Sequence, residues 1–162
     1  MGTRGYIVII IKNKIYYSYN HFDSYPRGLG RLLTNSLRYL LTIHTYKELI
    51  EILYNIKIVF DDSVPSDSEI NKLKKYADTG VSSESLSGWY CLLRKCQGNL
   101  NLIIESGYLL STKFDNVAEY ISDDNIEYTY VLNFNENMFT CNKILIAEIT
   151  KIPNFWKKKF IQ

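Results

Sequence analysis

Between Tyr19 and Gly30 the chain reads Tyr-Asn-His-Phe-Asp-Ser-Tyr-Pro-Arg-Gly-Leu-Gly, which packs an imidazole, a carboxylate, an amide, a hydroxyl, phenols and a guanidinium into one short stretch. A buried strand cannot hold that set without partners, and a solvated loop rarely needs it. His21 and Asp23 lie two apart, so on a regular strand both would face the same side. Beside Thr3 and Arg4 of the chain start, they would supply a base, an orienting carboxylate and an anion clamp. The candidate catalytic residues are therefore Thr3, His21 and Asp23. Arg4, Asn20, Ser24, Tyr25 and Arg27 are the candidate ligand-binding residues, and an Arg4–Asp23 ion pair is expected. The structural alternative is an Asx-type turn at Asp23-Ser24 before Pro26, with His21 hydrogen-bonded for stability.

Positioning these groups falls to a hairpin. Residues 6–11, Tyr-Ile-Val-Ile-Ile-Ile, are apolar and largely β-branched, the pattern of a strand buried on both faces. Lys12-Asn-Lys14 turns the chain, and Ile-Tyr-Tyr-Ser-Tyr over 15–19 returns it. Antiparallel pairing then brings Thr3 and Arg4 beside Asn20. Pro26 keeps Tyr25 out of helical geometry. Leu29, Leu32, Leu33, Ser36, Leu37 and Leu40 recur at helical spacing. Thr45 with Glu48, and Ser66 with Glu69, are capping-box signatures for helices reaching Ile56 and Tyr76. Residues 57–88 are otherwise irregular, and 79–88 form a loop that serves as connector or lid. Residues 89–96 and 100–106, the latter stopped by Gly107, are helical, with a further helix over 114–121. A second hairpin spans 127–134 and 138–141, followed by a strand over 144–149. The expected fold is α+β: a two-layer, largely antiparallel sheet from N- and C-terminal hairpins with helices packed on one face. One domain over 1–162 is expected, its helical insertion running from about 30 to 122.

Composition excludes several classes. The chain is 46% hydrophobic and 22% charged, as in folded globular proteins. A net charge of +2 calls for neither nucleic acid nor an anionic membrane. The longest apolar run is too short to span a bilayer. Lys12 and Lys14 interrupt any signal-peptide core. Cys91, Cys96 and Cys141 lack metal-ligand spacing and read as reduced thiols, so a cytoplasmic setting is expected. The acidic pairs Asp61-Asp62 and Asp123-Asp124 are turn residues, no metal site is expected, and no cofactor signature is present. His44 stands alone between two helices. Gly28-Leu-Gly-Arg31 opens a helix, where backbone amides and arginines suit an anion. Trp89-Tyr90 with Arg94 is core plus a surface charge, or an aromatic wall that stacks a ring. Trp156-Lys-Lys-Lys-Phe160 is a basic, aromatic tail.

Gly2-Thr-Arg-Gly5, Tyr19-Asn-His-Phe-Asp-Ser-Tyr-Pro26 and Gly28-Leu-Gly30 together resemble a family of uncharacterised proteins met in bacteria, phages, fungi and large DNA viruses. The resemblance extends to Trp89-Tyr-Cys-Leu-Leu-Arg94, Gln97-Gly98 and Glu127-Tyr-Thr-Tyr-Val131. It implies a viral or phage accessory protein, placed in host cytoplasm if viral. The layout is also similar to N-terminal-nucleophile amide hydrolases, in which a nucleophile on the first strand adjoins a polar cluster ending the second. That similarity implies Thr3 as nucleophile once Met1 and Gly2 are removed, its own amine acting as base. The leading expectation is a binding module for a small polar or anionic ligand or a protein partner. The amide hydrolase is the alternative.

Overall fold

The computed structural model describes residues 2–80, 85–114 and 125–152. Its five-stranded sheet is built from the two hairpins, in the order β2-β1-β5-β6-β7. The first strand, β1 (Gly5–Ile11), is buried at every position but Ile10. This is why its sequence is apolar without alternation: β2 (Lys14–Asn20) flanks it on one side and β5 (Tyr128–Asn133) on the other. The β1–β2 and β5–β6 pairs are antiparallel, as is the pair of β6 (Met138–Cys141) with β7 (Ile144–Glu148). The hairpins meet through a parallel contact, β1 on β5, in which Ile7 faces Tyr130 and Ile9 faces Leu132.

Residues opposite each other in a ladder share a face. Ile7, Ile9 and Ile11 therefore stand with Tyr130, Leu132 and Phe139, and all six belong to one buried cluster. Covering them are α1 (Arg31–Ile43), through Leu33, Leu37 and Leu40, and α2 (Tyr46–Tyr54), through Leu49 and Leu53. Leu32, read as part of the α1 stripe, is 55% exposed. The buried face runs instead through 29, 33, 36, 37 and 40, because a π-helical turn, Pro26–Gly30, precedes α1 and sets its rotation. On the opposite sheet face Tyr6 and Tyr17 each meet Phe114 edge to face, with ring centroids at 5.5 and 4.9 Å.

Local signals place the smaller helices correctly. Thr45 and Glu48 cap α2 reciprocally, as do Ser66 and Glu69 for α3 (Asp67–Leu73). The segments α4 (Trp89–Leu92) and α5 (Leu100–Ser106) follow, and Gly107 ends α5 at φ 76°. Two strands escape sequence reading: β3 (Lys57–Val59) and β4 (Tyr108–Leu110) form a separate parallel pair. Three residues are too few for an alternating pattern to show. Their pairing matters for the site, because the chain leaving β4 runs onto the outer edge of β2. The Tyr17 N–H donates to Ser111 Oγ at 3.0 Å, and the Thr112 N–H donates to the Tyr17 carbonyl at 2.8 Å. An edge strand is thereby covered. The expected helix over 114–121 and part of the expected loop over 79–88 lie outside the described residues. No helix among the described residues is long and apolar enough to cross a membrane.

One capping carboxylate also responds to pH. Glu69 bonds Lys57 Nζ at 2.9 Å and the Ser66 backbone, which holds its carboxyl down to about 2. A depressed carboxylate stabilises the fold above its unfolded value of 4.5, and that contribution disappears as pH falls towards 2. Thermal melts across this acid range should show wild type losing more stability than Glu69→Gln. Equal losses would remove the assignment.

Candidate functional site

The open end of the first hairpin is built around Ser24, which is fully buried. Its N–H donates to Thr3 Oγ1 at 2.8 Å, with a second, longer approach to the Thr3 carbonyl. Its hydroxyl accepts from Asn20 Nδ2 at 2.9 Å, and its carbonyl accepts from the Tyr130 hydroxyl at 2.7 Å. Asn20 Nδ2 also donates to the Phe22 carbonyl at 2.6 Å. Neighbouring glycines are required by close approach: a Cβ on Gly5 would lie 2.7 Å from Ser24 Cβ and 2.8 Å from the Tyr128 carbonyl oxygen. Thr3, Asn20, Ser24 and Tyr130 thus form a satisfied polar knot that ties the chain start to the end of β2.

The three candidate catalytic residues are not joined by hydrogen bonds. Thr3 uses its hydroxyl to accept from Ser24, with no bond to His21 or Asp23. Asp23 sits past the end of β2 at φ 52°, so strand alternation no longer relates it to His21. Its carbonyl accepts from the Leu29 N–H at 2.8 Å, and its exposed carboxylate makes no Asx turn. The expected Arg4–Asp23 ion pair does not form: hairpin pairing sets the strands, but the left-handed turn at Asp23 carries the carboxylate away. Tyr25 and Arg27 are exposed, and the Tyr25 carbonyl accepts from the Gly28 N–H. Of the candidate ligand-binding residues, Asn20 and Ser24 face inward on each other, while Arg4, Tyr25 and Arg27 reach solvent.

His21 is different. Its Nδ1 and the Tyr19 hydroxyl are 2.7 Å apart, and its backbone N–H donates to Gln97 Oε1 at 2.8 Å. Burial, then the guanidinium charges of Arg4 and Arg94, push the imidazole below its ordinary value. The shift favours the neutral imidazole. Arg94 lies over the rings of Phe22 and Tyr90, 5.7 and 5.9 Å from their centroids, and its Nε is buried without a hydrogen-bond partner. Among the described residues neither Arg4 nor Arg94 forms an ion pair. Two guanidinium charges thus act on the His21 imidazole, and among the described residues no carboxylate pairs with either.

Behind this group lies a cavity of about 230 Å³, to which Tyr19, Tyr90, Leu93, Gln97, Tyr108 and Asp61 contribute. Trp89 is not a wall of it. It is 3% exposed, stacks on Tyr108 and donates from Nε1 to Ser63 Oγ at 3.1 Å, which makes it a core residue. Arg94, read from sequence as a surface charge or as part of an aromatic wall, lies instead half-buried against Phe22 and Tyr90. Gln97 and Gly98 also meet the first hairpin: Gln97 bonds His21, and a Cβ on Gly98 would lie 2.5 Å from Asn20 Oδ1. The quoted motifs around Asn20-His21 and Gln97-Gly98 are therefore adjacent in space. Cys91, Cys96 and Cys141 are free and buried, and burial raises the Cys141 thiol to about 11. No group of three or more metal-ligating side chains occurs among the described residues. No protein-family model, curated protein or solved structure matches the chain.

Proposed function

We propose that the open end of the first hairpin binds a small anionic ligand, with Arg4 and Arg94 as its cationic contacts and His21 as a polar partner between them. The observation that carries this reading is the uncompensated charge: two guanidiniums act on one imidazole, and among the described residues no carboxylate pairs with either. A folded chain gains by pairing such groups, and an anion supplies the missing partner with charge-assisted hydrogen bonds. Tyr19 and Gln97 fix the His21 ring and backbone, so the site is organised before the ligand arrives.

Sulfate is a suitable probe because its charge is constant across the titration range of histidine. Addition of sulfate should shift the His21 ring resonances saturably, and Arg4→Gln or Arg94→Gln should weaken the effect. The pH dependence has a definite direction. A lowered imidazole means that the unfolded chain takes up the proton first, so stability declines as pH falls below 6.5. A bound anion favours the imidazolium, so sulfate affinity should rise between about pH 7.5 and about pH 5.5, and His21→Gln should remove that rise. No saturable shift, or binding indifferent to both arginines, would dismiss the site.

A further inference from the structure

The cavity and the cations share their boundary. Tyr19 lines the cavity and bonds the His21 ring, while Gln97 lines it and holds the His21 backbone. Tyr90 lines it and lies under the Arg94 guanidinium. A group bound at Arg94 is therefore placed next to a part-open cavity. That space is mostly walled by rings and aliphatic side chains, Tyr90, Tyr108, Leu93 and Leu109 among them. Its volume of about 230 Å³ decides what fits. An apolar cavity of about 150 Å³ holds benzene, whereas drug-sized ligands and cofactors occupy about 300–1,000 Å³.

Resting on the reading above, we infer that the ligand is an aromatic anion, with one substituted ring seated in the cavity and its carboxylate or phosphate on the Arg94 side beside His21. A wall to which Tyr90 and Tyr108 contribute suits a rigid ring better than a flexible chain, because ring contacts gain area without freezing rotors. Among the described residues Asp61 is the one charged side chain in the lining, and it is negative. The ring substituent that reaches it is therefore a hydrogen-bond donor, a hydroxyl or an amine, and a second anion there is repelled. Arg94 joins the two halves of the site. Its guanidinium meets the anion while lying 5.9 Å from the centroid of Tyr90, a residue of the cavity wall.

The test compares four probes on the wild-type protein by calorimetry: 4-hydroxybenzoate, 4-hydroxyphenyl phosphate, acetate and 4-hydroxybenzyl alcohol. At least one of the two ring anions should bind about tenfold or more tightly than acetate and than the neutral alcohol. The stronger of the two identifies carboxylate or phosphate as the anionic group. Leu110→Trp narrows the cavity from its half-buried wall, and should cancel the ring's advantage while leaving sulfate binding intact. Thr112→Trp does the same from another half-buried lining position if the first variant fails to fold. Sulfate and acetate binding as tightly as the ring anions would overturn the aromatic assignment and spare the anion site. The neutral alcohol binding as tightly as the ring anions would overturn the role of Arg94. Sulfate and all four probes failing to bind would remove the anion site and the ring site together.

Discussion

Gly98→Ala is expected to destabilise the fold by about 3 kcal/mol, and Gly107→Ala by only about 1 kcal/mol, although both glycines are left-handed. Gly98 has φ 74° and Gly107 φ 76°, so the backbone penalty for an added Cβ is the same. Their surroundings differ. A Cβ on Gly107 meets nothing within 4 Å, whereas on Gly98 it would lie 2.5 Å from Asn20 Oδ1 and 3.3 Å from Leu29 Cδ1. Asn20 cannot swing aside, because its amide nitrogen donates both to Ser24 Oγ and to the Phe22 carbonyl. Displacing it leaves buried donors unmet, and each such loss costs about 1–3 kcal/mol. Urea melts of the two variants isolate the difference. Equal destabilisation would show that Gly98 is needed for its backbone angle alone, and that the Asn20 knot tolerates intrusion.

Arg94→Met is expected to leave stability unchanged or raise it by up to about 1 kcal/mol, while lowering affinity for sulfate by about tenfold or more. The two halves of this expectation have one cause. In the free protein the Arg94 Nε is buried and unpaired, a standing cost that a thioether of similar length does not carry. The aromatic contacts with Phe22 and Tyr90 are retained in part, since methionine also packs on rings. In the complex the same guanidinium supplies charge-assisted bonds that methionine cannot. Gain of stability with loss of binding is the mark of a side chain kept for a ligand. Arg27→Met, at an exposed position, should change neither quantity. A marked fall in melting temperature for Arg94→Met would make Arg94 a structural residue and leave the proposed site with one cation.

How much of this was legible beforehand follows from the range of the interactions concerned. Thr45 with Glu48 and Ser66 with Glu69 act across three residues, so a reader of the sequence can see both capping partners at once. The hairpins announce themselves by apolar strands around short turns, and Gly107 marks the end of α5. The importance of the stretch from Asn20 to Ser24 was also visible, as an unusual density of polar groups. The division of labour within it was not. One left-handed residue, Asp23, takes the carboxylate out of register, and a contact spanning 106 residues, Tyr130 to Ser24, makes the serine a buried hub.

Composition and local pattern determined the helices, the hairpins and the α+β class, because those depend on neighbours a few residues apart. Tertiary structure alone decided the parallel union of β1 with β5, the short β3–β4 pair and the meeting of His21 with Gln97. The partners of His21 illustrate why. Tyr19 is two residues away and Gln97 seventy-six, and Arg94 arrives on the same distant segment as Gln97. No periodicity encodes such a meeting. It arises when burying the leucines of α1 and α2 on Ile7, Ile9 and Ile11 fixes where every other segment must pass, and brings Arg94 to the end of the first hairpin.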